Sequence, residues 1–443
     1  MLKIACVCLM FAAGTPLWSQ VEPSGSGGGG GLGDSRMMTP APVGGGGYPG
    51  NVGSEERSNY LAGGLIFTGA YVDNLMLENG AKPISDETYS FLPSIGFDRG
   101  TARQHQSLSY STGFTLYQHT SDFNSVTQNA AGRYQFRISP YTVLTLGDTF
   151  SQNNNLYNQS NPFASNGISG TPGQSNQALI SPYQNQLANS SNADIHYQYA
   201  KNAMIGASGS YSLQQFSGSV EFTGLNNEGT AGASGFFSRR IAGAHYVGAT
   251  YQFSKFVTHP IGTYTVTQTI FGFYTYYFNK SFSLSVLGGP EHYTFWGAGT
   301  PSQGAWSPAI QLSLGWQTRR TNLAASYSHI VSGAGGLIGT YHSDTASLSG
   351  RYAFSRTWGF GANVSYGLFD NVNSTAAVVY GNGGNSIFGG VNADHRITDR
   401  LSAQAGYGHF HQDYPGIPGS ATYPDSNRVN ISLMYQFNRP LGR

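Results

Sequence analysis

The chain has 443 residues, a formal net charge of +1, and charged residues at only 10% against 39% hydrophobic and 14% aromatic. That charge content is far below the roughly 25% usual for soluble domains, and the near-zero net charge gives no nucleic-acid signature. No apolar stretch of about 18 residues follows the N-terminus, which excludes a helical membrane protein.

In chain order, residues 1–19 read as a secretory signal. Lys3 supplies the positive start, Ile4 to Gly14 is a short apolar run, and Ser19 is a small residue at the expected cleavage site. Cys6 and Cys8 both lie inside it. The expected mature chain therefore has no cysteine, and disulfides, thiol chemistry and Cys-ligated metals drop out. Residues 20–58 form a Gly/Pro-rich segment with glycine runs at Gly27–Gly31 and Gly44–Gly47. Such composition buries too little apolar area to offset ordering entropy, so a disordered periplasmic spacer is expected. A phosphate-binding loop would need a strand before the glycines, a helix after them and a terminal Lys, and none is present.

From residue 59 to 438 one unit returns about every 40 residues: an alternating strand, a short turn holding Lys or Arg, and a second alternating strand. Tyr277-Phe278-Asn279-Lys280-Ser281-Phe282 and Tyr352-Ala353-Phe354-Ser355-Arg356-Thr357-Trp358 are two instances. Short turns are expected near Gly100, Pro140, Lys201, Arg240, Lys280, Arg320, Arg356 and Thr398. Long loops rich in Gly, Asn and Ser are expected near 74–87, 119–127, 151–191, 217–231, 255–265, 289–305, 330–343, 369–385 and 412–426. Eight short turns and nine long loops give an all-β, antiparallel transmembrane β-barrel of about 18 strands, or 16 if one hairpin is miscounted. Short turns would be periplasmic and long loops extracellular, and residues 439–443 form a C-terminal tail.

Alternation assigns faces. Val429, Ile431, Leu433, Tyr435 and Phe437 share one side and are read as lipid-facing. Tyr134, Phe136 and Ile138 oppose Arg133, Gln135 and Arg137 in the same way. The pore-lining candidates are then Arg133, Gln135, Arg137, Asp194, His196, Arg319, Arg351 and Arg428, on a face that is otherwise mostly Ser, Gly, Thr, Asn and Gln.

In this architecture the chain resembles the porin-like outer-membrane barrels of diderm bacteria. Such proteins usually end in an aromatic residue that serves as an assembly signal; Phe437 fits, but six residues follow it here. The resemblance implies an outer-membrane location, contact with outer-membrane lipid and with the barrel-assembly machinery, and passive or weakly selective passage of small polar solutes. It also implies a third extracellular loop folded inward to narrow the pore. Residues 151–191 hold that place, with Tyr157, Phe163 and Tyr183 punctuating an uncharged stretch rich in Asn, Gln, Ser and Gly. Amides with scattered aromatics suit hydroxyl-rich neutral solutes. Two alternatives stay open: an outer-membrane component of polysaccharide export, and a structural or adhesive barrel with a closed lumen. Nothing in the sequence indicates an oligomeric state.

No enzyme is expected. Ser328/His329 and His342/Ser343 are chance neighbours without a nucleophile elbow. No cofactor is expected either. The weak metal candidates are His409, His411 and Asp413, which share one face of an extended strand.

Overall fold

The computed structural model of the protein describes residues 59–75, 83–153, 185–217, 226–259, 262–279, 281–297, 302–318, 320–334, 337–372, 383–414 and 425–440. Residues 1–58, with the expected signal and spacer, lie outside them. Apart from a 3₁₀ turn at Ser121–Phe123, the regular structure among the described residues is eighteen strands. The first nine are β1 (Tyr60–Val72), β2 (Asp86–Gly100), β3 (Gln104–Tyr117), β4 (Ser125–Ser139), β5 (Thr142–Asn153), β6 (Asn185–Ala200), β7 (Ala203–Ser217), β8 (Asn227–Ala242) and β9 (His245–His259). The second nine are β10 (Thr263–Asn279), β11 (Phe282–Trp296), β12 (Gln303–Gln317), β13 (Thr321–Ala334), β14 (Leu337–Ala353), β15 (Trp358–Asn371), β16 (Gly383–Arg396), β17 (Leu401–Asp413) and β18 (Asp425–Pro440).

Each strand pairs antiparallel with its neighbours in sequence, and β1 also pairs with β18 from Tyr60↔Pro440 to Val72↔Arg428. The sheet is a closed barrel, which removes the terminal edges that an open sheet would expose. Both chain ends of the barrel lie on the short-turn side, as the count of turns requires. Four of those turns share a device written in the sequence. The backbone N–H of Gln104, Thr321 and Leu401 donates to the hydroxyl of Thr101, Thr318 and Thr398, at 3.0, 2.9 and 3.0 Å. Trp358 N–H donates likewise to Ser355 Oγ at 3.0 Å. A hydroxyl three residues back closes the turn that a second backbone strand would otherwise have to stabilise.

Alternation decides which way each strand faces. In β10 every odd residue from Thr263 to Thr275 is buried, while Ile270, Tyr274 and Phe278 on the other side are exposed. All eighteen strands carry at least one large exposed hydrophobic residue on the outward side, such as Phe67, Ile95, Val391 and Ile431. Water would not tolerate so much contiguous apolar surface, and a hydrocarbon environment does. The inward side is held together by hydroxyl pairs across strands: Ser90 with Thr115 at 3.0 Å, Ser208 with Ser234 at 2.6 Å, and Ser326 with Ser347 at 2.7 Å.

Three of the expected long loops are largely strand. Positions 255–265 hold the end of β9 and the start of β10, 289–305 hold β11 and β12 on either side of 297–302, and 330–343 hold β13 and β14. The strands run 12 to 17 residues, longer than the roughly 10 that a bilayer needs. The extra length at 330–343 finds its partners inside the barrel, which a reading of these residues as a water-facing loop did not anticipate.

Candidate functional site: a hairpin folded into the barrel

Above His329, β13 leaves the wall. Its ladder with β12 runs from Gln317↔Asn322 to Ile310↔His329 and stops, while its ladder with β14 continues to Ala334↔Leu337. The β13–β14 hairpin therefore keeps its internal hydrogen bonds but swings off the cylinder. It crosses the inner faces of β11, β10, β9 and β8 in turn.

Three contacts fix that path, one of them on a glutamate that β10 also holds. Val331 N–H donates to Glu291 Oε2 of β11 at 2.8 Å, and Thr269 Oγ1 of β10 donates to Glu291 Oε1 at 3.0 Å. Thr340 Oγ1 lies 2.6 Å from Thr265 Oγ1 of β10. Gly333 sits so close to β8 and β9 that a Cβ built on it would be 2.7 Å from Glu228 Oε1 and 3.1 Å from Phe256 Cδ1. Only glycine fits there without displacing the neighbours. Glu228 also accepts from Thr230 Oγ1 at 3.2 Å.

Glu228 and Glu291 are the most deeply buried glutamates among the described residues, each 2% exposed. A buried carboxylate is costly unless hydrogen-bonded, so their placement under the hairpin argues for a built seat and not a chance contact. Below the hairpin the inner wall turns apolar. Phe271, Phe273, Leu287 and Ala309 form a buried cluster against which Ile330 packs. At the point of departure His329 Nδ1 lies 2.9 Å from Asp344 Oδ1, Tyr327 donates to Asp344 Oδ1 at 2.6 Å, and the His342 ring stacks on His329 at 5.7 Å. On β14 and beyond it the inner face carries further buried aromatics at the loop end: Tyr341, Phe369, Phe410 and Tyr414.

The residues singled out from the sequence divide clearly. Arg133, Gln135 and Arg137 of β4 lie on the side opposite exposed Ile138, and Arg133 is within electrostatic reach of Asp194. Asp194 and His196 of β6 sit opposite exposed Ile195 and Tyr197, with His196 Nδ1 3.1 Å from Asp194 Oδ1. Arg351 donates from Nη2 to Asp394 Oδ2 at 3.0 Å, joining β14 to β16 across β15. Arg428 is buried on the inner side of β18. Arg319 lies outside the described residues, as do Tyr157, Phe163 and Tyr183 of the loop at 151–191. The inward segment that is described is the β13–β14 hairpin.

His409 and His411 face outward near the loop rim. His411 Nδ1 is 2.8 Å from Asp425 Oδ1 and His409 Nδ1 is 2.9 Å from Asn427 Oδ1, both partners on β18. Among the described residues no group of three His, Cys, Asp or Glu side chains is arranged to hold a metal. Sequence reasoning missed Glu228, Glu291, Gly333 and Thr340. The available signal was parity: both glutamates fall on inward positions of strands whose inward residues are otherwise hydroxyl, glycine or aromatic and aliphatic, apart from Arg240 at the turn end of β8.

No protein-family model matches the chain, and no curated protein matches it by sequence. Among solved structures it is similar to OccK2 (OpdF) of Pseudomonas aeruginosa, at 10% identity over 86% of this chain and 98% of that one, with a TM-score of 0.43. It is similar to the outer membrane protein opdK of the same organism, at 10% identity over 86% and 99% with a TM-score of 0.41. The unliganded ferric citrate transporter FecA gives 11% identity over 86% and 79%, with a TM-score of 0.45. Scores this low are those of one large antiparallel barrel against another and assign no residue a role.

Proposed function

We propose that the protein is an outer-membrane channel that passes small polar solutes by diffusion, and that the β13–β14 hairpin narrows its lumen. The observation that carries this reading is the hairpin's course from the wall at His329 to Glu228 on the far side of β9. An 18-stranded barrel is too wide to be filled by its own wall side chains, so a segment folded inward sets the bore. The inner face away from the hairpin supports polar passage. Arg133, Asp194, His196, Arg351 and Arg428 stand there among serines, threonines and asparagines, and charges of both signs disfavour strong ion selectivity.

The test is passage itself. The refolded chain, reconstituted in liposomes, should admit neutral sugars at a rate that falls with solute size. Correctly folded barrels that admit no solute would overturn the channel reading and favour a closed structural or adhesive barrel. Passage restricted to long polysaccharide would favour the export role.

A further inference from the structure

The departure of β13 leaves a defect in the wall. Among the described residues, β12 runs on from Ala309 to Gln303 paired with β11 alone. That open edge is seven residues, roughly 20 Å along the strand. Prolines mark it: Pro308 faces Pro290 across the β11–β12 ladder, and the β10–β11 ladder skips two pairs between Thr269↔Glu291 and Gly272↔Gly288 while keeping its register. Proline has no N–H to leave unpaired, so it suits a strand edge that faces an apolar medium.

A recess of about 550 Å³ opens there. Pro290, Trp306, Pro308 and Ile310, which face outward on their strands, line it, together with Ala309, whose side chain is buried on the inward side. Ala309 belongs equally to the buried inner cluster of Phe271, Phe273 and Leu287, on which Ile330 packs. Apolar residues therefore run from the outer surface, past the β12 edge, to an apolar patch on the inner wall, packed together where Ala309 (0% exposed) meets Phe271 (1%). Elsewhere that wall is mostly hydroxyl and amide.

The height of the path follows from tryptophan. Trp306 and Trp316 both point outward on β12, ten residues apart. With the usual rise and tilt this is about 25 Å along the membrane normal, the height of the apolar band between two aromatic girdles. The recess thus starts at the loop-side girdle and descends into the hydrocarbon. Only Ser307, Pro308 and Ala309 of the open edge lie below Trp306, which keeps the number of unpaired backbone groups in lipid small.

We infer that the seam between β12 and β13 is a lateral portal that binds a single alkyl chain of an outer-leaflet amphiphile, the chain passing Pro308 and Ala309 to reach the Phe271, Phe273, Leu287 and Ile330 cluster. The occupant is an alkyl chain because the path is continuous with the lipid-facing surface and lined by apolar side chains at both mouths. The inference rests on the barrel being embedded in a membrane, as proposed above.

The experiment uses the full chain in vesicles of phosphatidylcholine with brominated acyl chains, which quench tryptophan on contact. Leu287→Trp places a reporter in the inner cluster, and Met434→Trp places one on the inner face of β18, where the wall is fully paired. Each is read against the chain's own tryptophans, whose outward members report whether the barrel sits in lipid at all. The portal predicts that Leu287→Trp loses most of its added emission and Met434→Trp keeps its own. Adding Ile330→Asp, a carboxylate in the path, should restore the Leu287→Trp emission. Phe273→Trp serves as a second inner reporter if Leu287→Trp does not fold. Quenching of the outward tryptophans with no difference between the two inner reporters overturns the portal alone. No quenching of any tryptophan by the folded protein overturns the membrane reading with it.

Discussion

The closure between β18 and β1 and the junction between β12 and β13 are built from the same kind of alternating strand, yet they behave oppositely. At the first, thirteen consecutive pairs run without a register shift, and small inward residues such as Thr68 and Ser432 bridge at 2.8 Å. At the second, eight pairs form and the rest of the ladder is abandoned. The difference lies in local chemistry. Along the first seam the single proline, Pro440, stands in the terminal pair with Tyr60, so no proline interrupts the ladder between the ends. Near the second, Pro290 and Pro308 break donor rows, Phe271, Phe273 and Leu287 crowd the inner face, and Glu291 offers a buried acceptor that Val331 N–H takes in place of β12. A barrel can thus stay closed overall and still give up half of one junction, provided the departing strand finds replacement partners inside.

The largest effect in this contrast should come from the inner apolar cluster. Phe271→Ala removes a side chain that is 1% exposed and should cost about 3–5 kcal/mol. Ile431→Ala on β18, which faces outward and is 65% exposed, should cost far less. Urea unfolding midpoints of the two variants in the same micelles measure the gap, and equal shifts would refute a special packing role for the β10–β12 sector. Next in size is the hairpin's seat. Glu291→Ala strands Val331 N–H and should weaken docking by roughly 1–3 kcal/mol, raising the undocked population by up to about a hundredfold. Single-channel records should then show larger or noisier open levels, whereas Glu87→Ala, on the outer face of β2, should leave them unchanged. Smaller still is the amide-exchange contrast within β12. Residues 303–309 should exchange faster on average than 310–317, because one side of the strand lacks a ladder partner. Uniform protection along β12 would mean that the seam is zipped in solution.

The smallest effect concerns the loop rim, where Asp86 begins β2 beyond the lipid-facing belt. Burial alone would raise its carboxyl, but donation from Thr120 Oγ1, from the His119 ring and from the backbone of both residues more than offsets this and holds it at about 2. Since the folded group lies below the ordinary carboxylate value of about 3.9, its contribution is complete above that pH and fades as pH falls toward 2. Amide protection of His119 and Thr120 should be lost over that window in the wild type, while Asp86→Asn should show no such step.

Much of the barrel was legible because a period of two is hard to disguise. The turns at Thr101, Thr318 and Thr398, the outward row from Val429 to Phe437, and the inward placement of Arg133, Asp194 and Arg428 follow from alternation and turn chemistry. The hairpin was not legible for the same reason. Its residues, with four glycines between 333 and 339, look like a loop, and their destination depends on Glu228 and Glu291, about 100 and 40 residues earlier in the chain. No local pattern encodes a partner at that distance. A partial hint was present in the prolines and in Phe271, Phe273 and Leu287, apolar residues on inward positions of otherwise hydroxyl-bearing faces.

The most direct test of the hairpin's place in the lumen is a cross-link between Thr265→Cys and Thr340→Cys, whose hydroxyl oxygens lie 2.6 Å apart, in a chain with Cys6 and Cys8 replaced by Ser. The account predicts that the disulfide forms in the folded barrel, leaves single-channel conductance at the wild-type level, and suppresses the larger openings caused by Glu291→Ala. A folded barrel in which these two cysteines fail to join under oxidation, or in which joining them changes the wild-type conductance, would contradict it.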